Sequence, residues 1–381
     1  MKRVILTVFA AAAALLLTAC ASGKTPELPE DTAKPAETTA EPTEAPTPEP
    51  TEIPTPEPTE VPTPEPTEDP REVAHFYSPH FEAAIRSILE RGGDPIYVEE
   101  LREMKELDLT GMGVFIIKDL DKFENLETLI LNGNGIEDIS PVASLKNLRK
   151  IEFTDNRITD YSPVASLHEL RSIRLNNWGG FALKDLSILE NFPKLETLEL
   201  NNYYLTDISF LYGLKELRSL RVITEEEELD LSGIGALTNL EHLEVWGVWD
   251  ASPLTELKNL RSLDIQFKGT DLSPLAGIEK LGILEISCTE EIDLSCLSRI
   301  KGLWSLCVDG YNIADLSFLA DMTGLTDLTI KRYEIEDLSP IFGLDNLINL
   351  DLSEVHLTDE QKAELNKALP GCNIKYREWN W

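Results

Sequence analysis

The chain has 381 residues and a formal net charge of −34 at pH 7. Acidity of this size argues against nucleic acids and anionic membrane surfaces as partners, because like charges repel. It leaves cationic ligands, divalent cations or simply a well-solvated acidic surface.

Residues 1–19 have the pattern of a bacterial export signal. Lys2 and Arg3 precede an apolar run over residues 4–17, which is shorter than the roughly 20 residues of a membrane-spanning helix. The run ends in the sequence LTAC, which resembles a lipobox. The resemblance implies cleavage before Cys20 and lipid attachment to its thiol and its new amino group, and several acyl chains make a stable anchor. The alternative is a plain secretory signal with a chance cysteine.

Residues 20–71 form a predicted stalk rich in proline, threonine and glutamate. Residues 21–70 contain 14 of the chain's 23 prolines and no aromatic residue. The motif TEAPTPEP recurs as TEIPTPEP and TEVPTPEP. Such a segment cannot build a core, so we expect an extended, solvated chain spanning on the order of 150 Å as polyproline II.

Residues 72–106 are predicted to form an N-terminal cap. Ser78 is placed to cap a helix with Pro79 in its first turn, and Gly92-Gly93 are expected to end it. The apolar residues of this helix share one face and must lie on another element, which we expect to be the first coil of the repeats; they are Phe81, Ile85, Ile88 and Leu89.

Residues 107–357 are predicted to be repeats. The first full unit opens with the spacing L-x-x-L-x-L at Leu126, and the steps between successive unit starts are 20 to 25 residues. The later units start at Leu148, Leu170, Leu195, Leu217, Leu240, Leu260, Leu281, Leu303, Leu325 and Leu347. This period and spacing are the leucine-rich-repeat signature. One coil cannot close a core alone, so stacked coils are expected to bury their leucines against one another.

The second half of each unit predicts a short helical turn. In the sequence DISP the serine at Ser140 is expected to cap the turn, and the proline fits its first position. The same Ser-Pro pair recurs at Ser162, Ser252, Ser273 and Ser339.

Residues 358–381 are predicted to close the other end. A helix over residues 359–369 would place Leu365 and Leu369 on one face, and Pro370-Gly371 would stop it. Alternation then predicts a closing strand with the inward residues Cys372, Ile374 and Tyr376.

Residues 73–376 resemble bacterial surface leucine-rich-repeat proteins of the internalin type. The resemblance is carried by units of about 22 residues ending in D-[IL]-S-P-[LVI], by FEAAIRSIL and by LPGCNIKY. It implies an α/β leucine-rich-repeat solenoid, a horseshoe with a parallel concave sheet, and a binding partner that is a protein or a glycan.

The chain departs from the internalin pattern at an asparagine that this pattern normally has, which is kept as Asn134 and Asn156. In later units this position holds Trp178, Tyr203, Glu225, Val248, Lys268, Thr289, Tyr311, Tyr333 and Val355. Because that asparagine satisfies backbone groups inside the turn, those turns are expected to be less regular.

No catalytic motif is present in the sequence, so we expect neither an enzyme nor a cofactor. There is no C-x-x-C pair to suggest zinc. Cys288 and Cys307 lie three positions out of step in adjacent units, roughly 10 Å along the strand direction, which exceeds disulfide reach. We therefore expect free thiols.

The strand position between the two core leucines should face outward in every unit. Seven of the twelve residues at this position are acidic. The twelve are Asp108, Ile130, Glu152, Arg174, Glu199, Arg221, Glu244, Asp264, Glu285, Cys307, Thr329 and Asp351. The binding candidates on or beside this face are Arg174, Asn176, Trp178, Glu199, Asn201, Tyr203, Arg221, Glu244, Trp246, Trp249, Asp264, Tyr311 and Tyr333. Exposed aromatic residues are frequent anchors of recognition surfaces. The alternative, that the side chain packs inward, applies to Trp178, Tyr203, Tyr311 and Tyr333, whereas alternation places Trp246 outward.

These features predict a monomer on the cell surface that is anchored to the membrane only by lipid on Cys20. It would bind a protein or a glycan through the concave face, and it would not bind nucleic acid. Two alternatives stay open. One is a structural or scaffolding envelope protein without a discrete ligand, and the other is an acidic surface that binds divalent cations.

Overall fold

The structure is a computed structural model, and it describes residues 71–176, 186–201, 205–224, 228–288, 292–310, 315–331, 335 and 337–376. All of these belong to one compact unit, Glu68–Trp381. The predicted export signal, Cys20 and nearly all of the predicted stalk lie outside the described residues.

One parallel sheet runs the length of the described residues, with thirteen strands in chain order. The strands are β1 Glu106–Asp108, β2 Thr128–Ile130, β3 Lys150–Glu152, β4 Ser172–Asn176, β5 Thr197–Asn201, β6 Ser219–Ile223, β7 His242–Val248, β8 Ser262–Phe267, β9 Ile283–Cys288, β10 Ser305–Gly310, β11 Asp327–Lys331, β12 Asn349–Leu352 and β13 Asn373–Tyr376. The predicted leucine-rich-repeat solenoid with a parallel sheet is confirmed.

Alternation along each strand builds the core. In β8 the side chains of Leu263, Ile265 and Phe267 are at most 1% exposed, while the residues between them are only partly buried. Leu263 pairs in register with Leu284 of β9, so each unit covers the apolar edge of the next. Fully burying one such side chain stabilises the fold by roughly 1.5–3 kcal/mol, which explains why the units must stack.

Short 3-10 helices return the chain from one strand to the next. They span Lys118–Lys122, Ser140–Ser144, Ser162–Ser166, Ser187–Asn191, Ser209–Leu211, Ile234–Ala236, Ser252–Glu256, Ser273–Gly277, Ser295–Arg299, Ser317–Asp321 and Ser339–Ile341. Where the sequence has Ser-Pro, the proline lies in the first turn as predicted.

The prediction that the serine side chain caps these turns is wrong. The aspartate two residues earlier does so, because the helix already begins at the serine. Oδ1 of Asp138 accepts a hydrogen bond from the Ser140 amide at 2.8 Å, and Asp271 accepts one from Ser273 at the same distance. This is the Asx-type turn that aspartate favours. Hydrogen bonds from the side chain and the backbone of Ser273 hold the pKa of Asp271 below its usual value.

The two retained asparagines satisfy backbone groups inside the turn. Nδ2 of Asn156 donates to the carbonyl oxygens of Leu131 at 2.9 Å and Phe153 at 3.0 Å. Its Oδ1 accepts from the Ile136 amide at 2.9 Å. Asn134 makes the equivalent contacts one unit earlier. Each asparagine therefore joins two neighbouring coils.

Loss of this asparagine changes the strand length. Strands β2 and β3, whose units keep it, are three residues long, whereas β8, β9 and β10 have six. Strand β7 has seven residues and a register shift between Val245 and Val248. Val248, which stands at the asparagine position, is fully buried. In this unit the strand runs on to Val248 instead of turning before it.

The N-terminal helices are α1 Pro79–Ile88 and α2 Val98–Glu103. Oγ of Ser78 caps α1 by accepting from the Phe81 amide at 3.3 Å, as predicted. Phe81 is fully buried, and its ring centroid lies 5.9 Å from that of Phe123 in the first coil. The prediction that Gly92-Gly93 end the helix is wrong, because α1 ends at Ile88 and Glu90 takes the left-handed conformation.

The C-terminal helix is α3, Asp359–Ala368. Thr358 and Gln361 form a capping box at its start. Leu365 and Leu369 are buried as predicted. Ile374 and Tyr376 of β13 are partly buried and pack on the core.

Every helix of the described residues is too short or too polar to cross a membrane.

Candidate ligand-binding face

The outward strand positions form one continuous column. Arg174 of β4 lies in register with Glu199 of β5, which pairs with Arg221 of β6. The same register joins Glu244 of β7, Asp264 of β8 and the next strands in turn. We call this side of the sheet the concave face. It therefore carries the predicted candidates Arg174, Glu199, Arg221, Glu244 and Asp264 on adjacent strands.

The first half of the column is neutralised by ion pairs between neighbouring strands. Arg174 lies 3.3 Å from Glu152 and 2.8 Å from Glu199, and Arg221 lies 2.6 Å from Glu244. Burial opposes the ionisation of Glu152, but hydrogen bonds from Lys150 and Asn132 and the charge of Arg174 keep the pKa of this carboxyl below its usual value. These partners hold one another in place.

The middle of the column has an excess of negative charge. Glu244, Asp264 and Glu285 follow one another on β7, β8 and β9. Burial, together with the charges of Glu285 and Glu244, raises the pKa of Asp264 to about 7. Lys331, two strands away, reaches Glu285 at 3.4 Å. Glu244 and Glu285 each have one basic partner, Arg221 and Lys331, whereas Asp264 between them has none among the described residues. A cationic group from a partner would therefore stabilise the ionised form of Asp264.

Glu285 and Lys331 were not among the predicted site residues. The alternation pattern already placed Glu285 outward in the sequence. Lys331 lies two residues beyond its unit's central outward position, on the same side of the strand, so only the three-dimensional proximity of β9 and β11 singles it out.

Trp246 faces outward beside this acidic stretch. It follows Glu244 by two residues on the same side of β7 and is 36% exposed, whereas Val245 between them is buried. The predicted outward orientation of Trp246 is confirmed. A large exposed aromatic next to the carboxyl groups of Glu244 and Asp264 gives the face both an apolar contact and a charge.

Trp249 lies past the end of β7 rather than within the strand. It is 47% exposed and forms one wall of a pocket of about 400 Å³ at the edge of the sheet where the parallel strands end. The pocket residues other than Trp249 were missed in the sequence, because they come from three different units and share no motif.

The remaining candidates are less well placed. Trp178, Tyr203, Tyr311 and Tyr333 lie outside the described residues. Asn176 ends β4, and Asn201 ends the neighbouring strand β5 in register with it. Oδ1 of Asn201 is buried and has no hydrogen-bond partner within the part of the chain that the structure describes.

The described cysteines are Cys288, Cys296, Cys307 and Cys372, and all four are free. Cys288 pairs with Gly310, three residues beyond Cys307, as the repeat spacing predicted. Among the described residues, no three histidine, cysteine, aspartate or glutamate side chains are grouped so as to hold a metal ion.

Comparison with known proteins places these repeats in a family. A family model for two copies of the leucine-rich repeat matches residues 124–166. Internalin InlF from Listeria monocytogenes is 30% identical, with a TM-score of 0.61 and coverage of 80% of this chain and 96% of that one. The functional domain of InlJ from Listeria monocytogenes, which includes a cysteine ladder, is 20% identical, with a TM-score of 0.51 and coverage of 78% of this chain and 68% of that one.

The likeness to InlJ concerns the fold alone. No curated protein matches the sequence. The likeness to InlF extends over nearly all of that protein and includes the sequence as well as the fold, so the chain belongs to the internalin family of leucine-rich-repeat proteins.

Proposed function

We propose that this protein is a cell-surface binding module, held to the membrane by lipid on Cys20, whose concave face binds a protein with a basic surface. The leucine-rich-repeat fold commonly mediates protein binding. The predicted stalk would carry the binding face well beyond the membrane surface.

The observation that carries the proposal is the exposed Trp246 beside Glu244, Asp264 and Glu285. The sheet holds these side chains on a rigid scaffold, so little conformational entropy is lost on binding. The carboxyl groups favour lysine or arginine on the partner, and the indole supplies a contact of the hot-spot type. The absence of a metal-holding group among the described residues gives the divalent-cation alternative no geometric support.

The proposal is tested by screening the purified protein on protein and glycan arrays and then measuring each hit with variants. We expect Trp246→Ala and Glu244→Lys to weaken a protein hit by tenfold or more, and we expect the affinity to fall as salt rises. Trp304→Ala is the matched control, because Trp304 is similarly exposed at 38% but precedes β10. Glu216→Lys, at an exposed position between strands, controls for net charge.

Three results would contradict the proposal. A confirmed protein ligand whose affinity is unchanged in both face variants would move the site elsewhere. Hits restricted to glycans would replace a protein by a carbohydrate partner, and no hit at all would favour a scaffolding role without a discrete ligand.

A further inference from the structure

We propose that the pocket beside Trp249 binds an organic cation, the ammonium group of a lysine side chain or of a quaternary ammonium compound. This pocket lies at the strand-end edge of the sheet and is separate from the acidic column of the concave face. Its walls are Trp249 and three carboxyl groups, Glu228, Asp230 and Asp250. No basic residue lines it among the described residues.

Trp249 offers an aromatic surface to the pocket. The register shift in β7 buries Val248 and leaves the next residue, Trp249, outside the core with 47% of its surface exposed. Gly269 approaches the Trp249 backbone closely, since a Cβ on Gly269 would lie 2.0 Å from the Trp249 carbonyl oxygen. Tryptophan is the side chain that attracts a cation most strongly through its ring face.

The carboxyl groups retain the capacity to accept a ligand. Glu228 has no hydrogen bond or ion pair within the described residues, and it is exposed. Asp230 accepts from the Ser232 amide at 2.7 Å and from its hydroxyl at 3.0 Å, through different oxygens. Each carboxylate oxygen has two lone pairs, so further acceptor positions stay open. The pocket therefore concentrates negative charge beside an aromatic ring.

The floor of the pocket is preorganised by backbone hydrogen bonds. The Leu229 amide donates to the Gly247 carbonyl at 3.0 Å, and the Asp230 amide donates to the Thr206 carbonyl at 2.8 Å. Leu229 and Leu231 line the floor, and both are 3% exposed. Their hydrocarbon surface suits the methyl or methylene groups that surround an organic nitrogen.

The polar lining argues against a neutral sugar. Sugar hydroxyls both donate and accept hydrogen bonds, so their sites usually provide side-chain donors and acceptors together. Here the carboxylates only accept, and Thr206 is the one side-chain hydroxyl in the described lining. An alkylated ammonium group matches the ring, the charge and the apolar floor at once.

The experiment titrates the full chain at constant ionic strength with choline, with N-acetyl-lysine amide, with the neutral choline analogue 3,3-dimethylbutan-1-ol and with methyl glucoside. Binding is followed by calorimetry and tryptophan fluorescence. We expect saturable binding of at least one cation and none of the neutral analogue. Binding of choline alone would indicate a quaternary ammonium ligand. Binding of N-acetyl-lysine amide alone would indicate a lysine-bearing peptide. Binding of both would indicate that the pocket recognises the positively charged nitrogen that they share.

Two variants test the assignment to this pocket. We expect Trp249→Ala to weaken cation binding about tenfold or more. Glu228→Gln should weaken it by about two- to fivefold, as for one exposed charge pair, and this exposed substitution leaves the fold intact. Trp246→Ala and Glu216→Gln are the matched controls. Because Trp246→Ala impairs only the concave face, the two proposed sites fail independently.

Three outcomes would overturn the proposal. The first is that neither cation binds. The second is that the neutral analogue or methyl glucoside binds as tightly as the cations. The third is that cation affinity is unchanged in both Trp249→Ala and Glu228→Gln, while circular dichroism shows both variants folded.

Discussion

Asn134 and Asn156 show how a single side chain links two coils. Each lies buried and bonds to backbone groups of its own unit and of the preceding unit. A buried amide that loses such partners leaves several backbone groups unsatisfied at once. Asp264 shows the opposite situation, because the sheet places it between two other acidic residues without a bonded partner among the described residues.

Substituting Asn156 by alanine should destabilise the protein by about 1–3 kcal/mol, because the Ile136 amide and the Leu131 and Phe153 carbonyls lose their partner inside the core. Urea unfolding monitored by circular dichroism measures this change. The control is Asn147→Ala, since Asn147 is exposed and makes one hydrogen bond to the Glu124 carbonyl. Equal midpoints for the two variants would contradict the structural role of Asn156.

Asp264 predicts a pH dependence of stability. Its pKa in the folded protein, about 7, is raised above the usual 3.8, so the folded state retains a proton that the unfolded state has lost between these values. The stability that the protonated Asp264 contributes to the folded state is fully present below pH 3.8 and is lost as the pH rises through about 7. Burial is the largest cause of the raised pKa, the charges of Glu285 and Glu244 add to it, and those of Arg221 and Lys331 oppose it.

Asp264→Asn should therefore remove part of the decline in unfolding free energy between pH 5 and pH 8. After allowing for solvent screening, we expect a difference from the unsubstituted protein on the order of 1 kcal/mol at pH 8. Urea unfolding at several pH values provides the measurement, with the exposed Asp321→Asn as control. Parallel pH curves for the Asp264→Asn variant and the unsubstituted protein would refute the effect.

At the scale of elements, the end of each strand decides the shape of its unit. Strands β2 and β3, whose units keep the asparagine, have three residues each. Strand β7, with Val248 at that position, has seven residues and one extra residue in its pairing with β8. Gly247 lies within this irregular stretch with φ +83, and its carbonyl accepts from Leu229 in the pocket floor. A bulge of this kind re-aims the side chains that follow it, here Trp249.

Gly247→Ala should strain this bulge, because residues with a Cβ lose about 1–2 kcal/mol in the left-handed conformation. We expect a lower urea midpoint and a change in the tryptophan emission from Trp246 and Trp249. Gly343→Ala is the control, since Gly343 has no positive φ and open space around its hydrogen. If both glycine variants were equally stable, the bulge would not depend on glycine.

At the scale of the whole molecule, stability comes from stacking, and the proposed binding face is what the stacked sheet presents. Each unit contributes one residue to the column of outward residues, so the column exists only across several units. Many of the chain's carboxyl groups have a structural use, as in the aspartates that cap the 3-10 helices. These aspartates keep their charge, but part of their hydrogen-bonding capacity is used within the fold.

The proposed anchor predicts the fate of a Cys20→Ser variant expressed in its bacterial host. Without the lipidated thiol, the protein should leave the membrane fraction or stay as an uncleaved precursor, because a lipid anchor depends on that cysteine. Fractionation followed by immunoblotting, with labelled palmitate as a direct probe, checks this outcome. Cys372→Ser serves as control, and membrane retention of an unlabelled Cys20→Ser protein would argue for another anchor.

The sequence by itself determined the repeat, the parallel sheet and the faces of its strands. Leucine spacing fixes which residues must be buried, and alternation then fixes which residues face outward, as for Glu244 and Trp246. It also located the start of α1 at Ser78, because helix capping is a local interaction.

Only the tertiary structure decided which outward residues are neutralised and which remain available. The ion pairs of Arg174 and Arg221 and the crowding around Asp264 depend on distances between neighbouring strands. The paired residues on these strands are 20 or more positions apart in the sequence. The Trp249 pocket also depends on a one-residue register shift in β7, which the repeat spacing does not record. Local patterns specify the coil, but the contacts between coils create the electrostatic environment and the cavities.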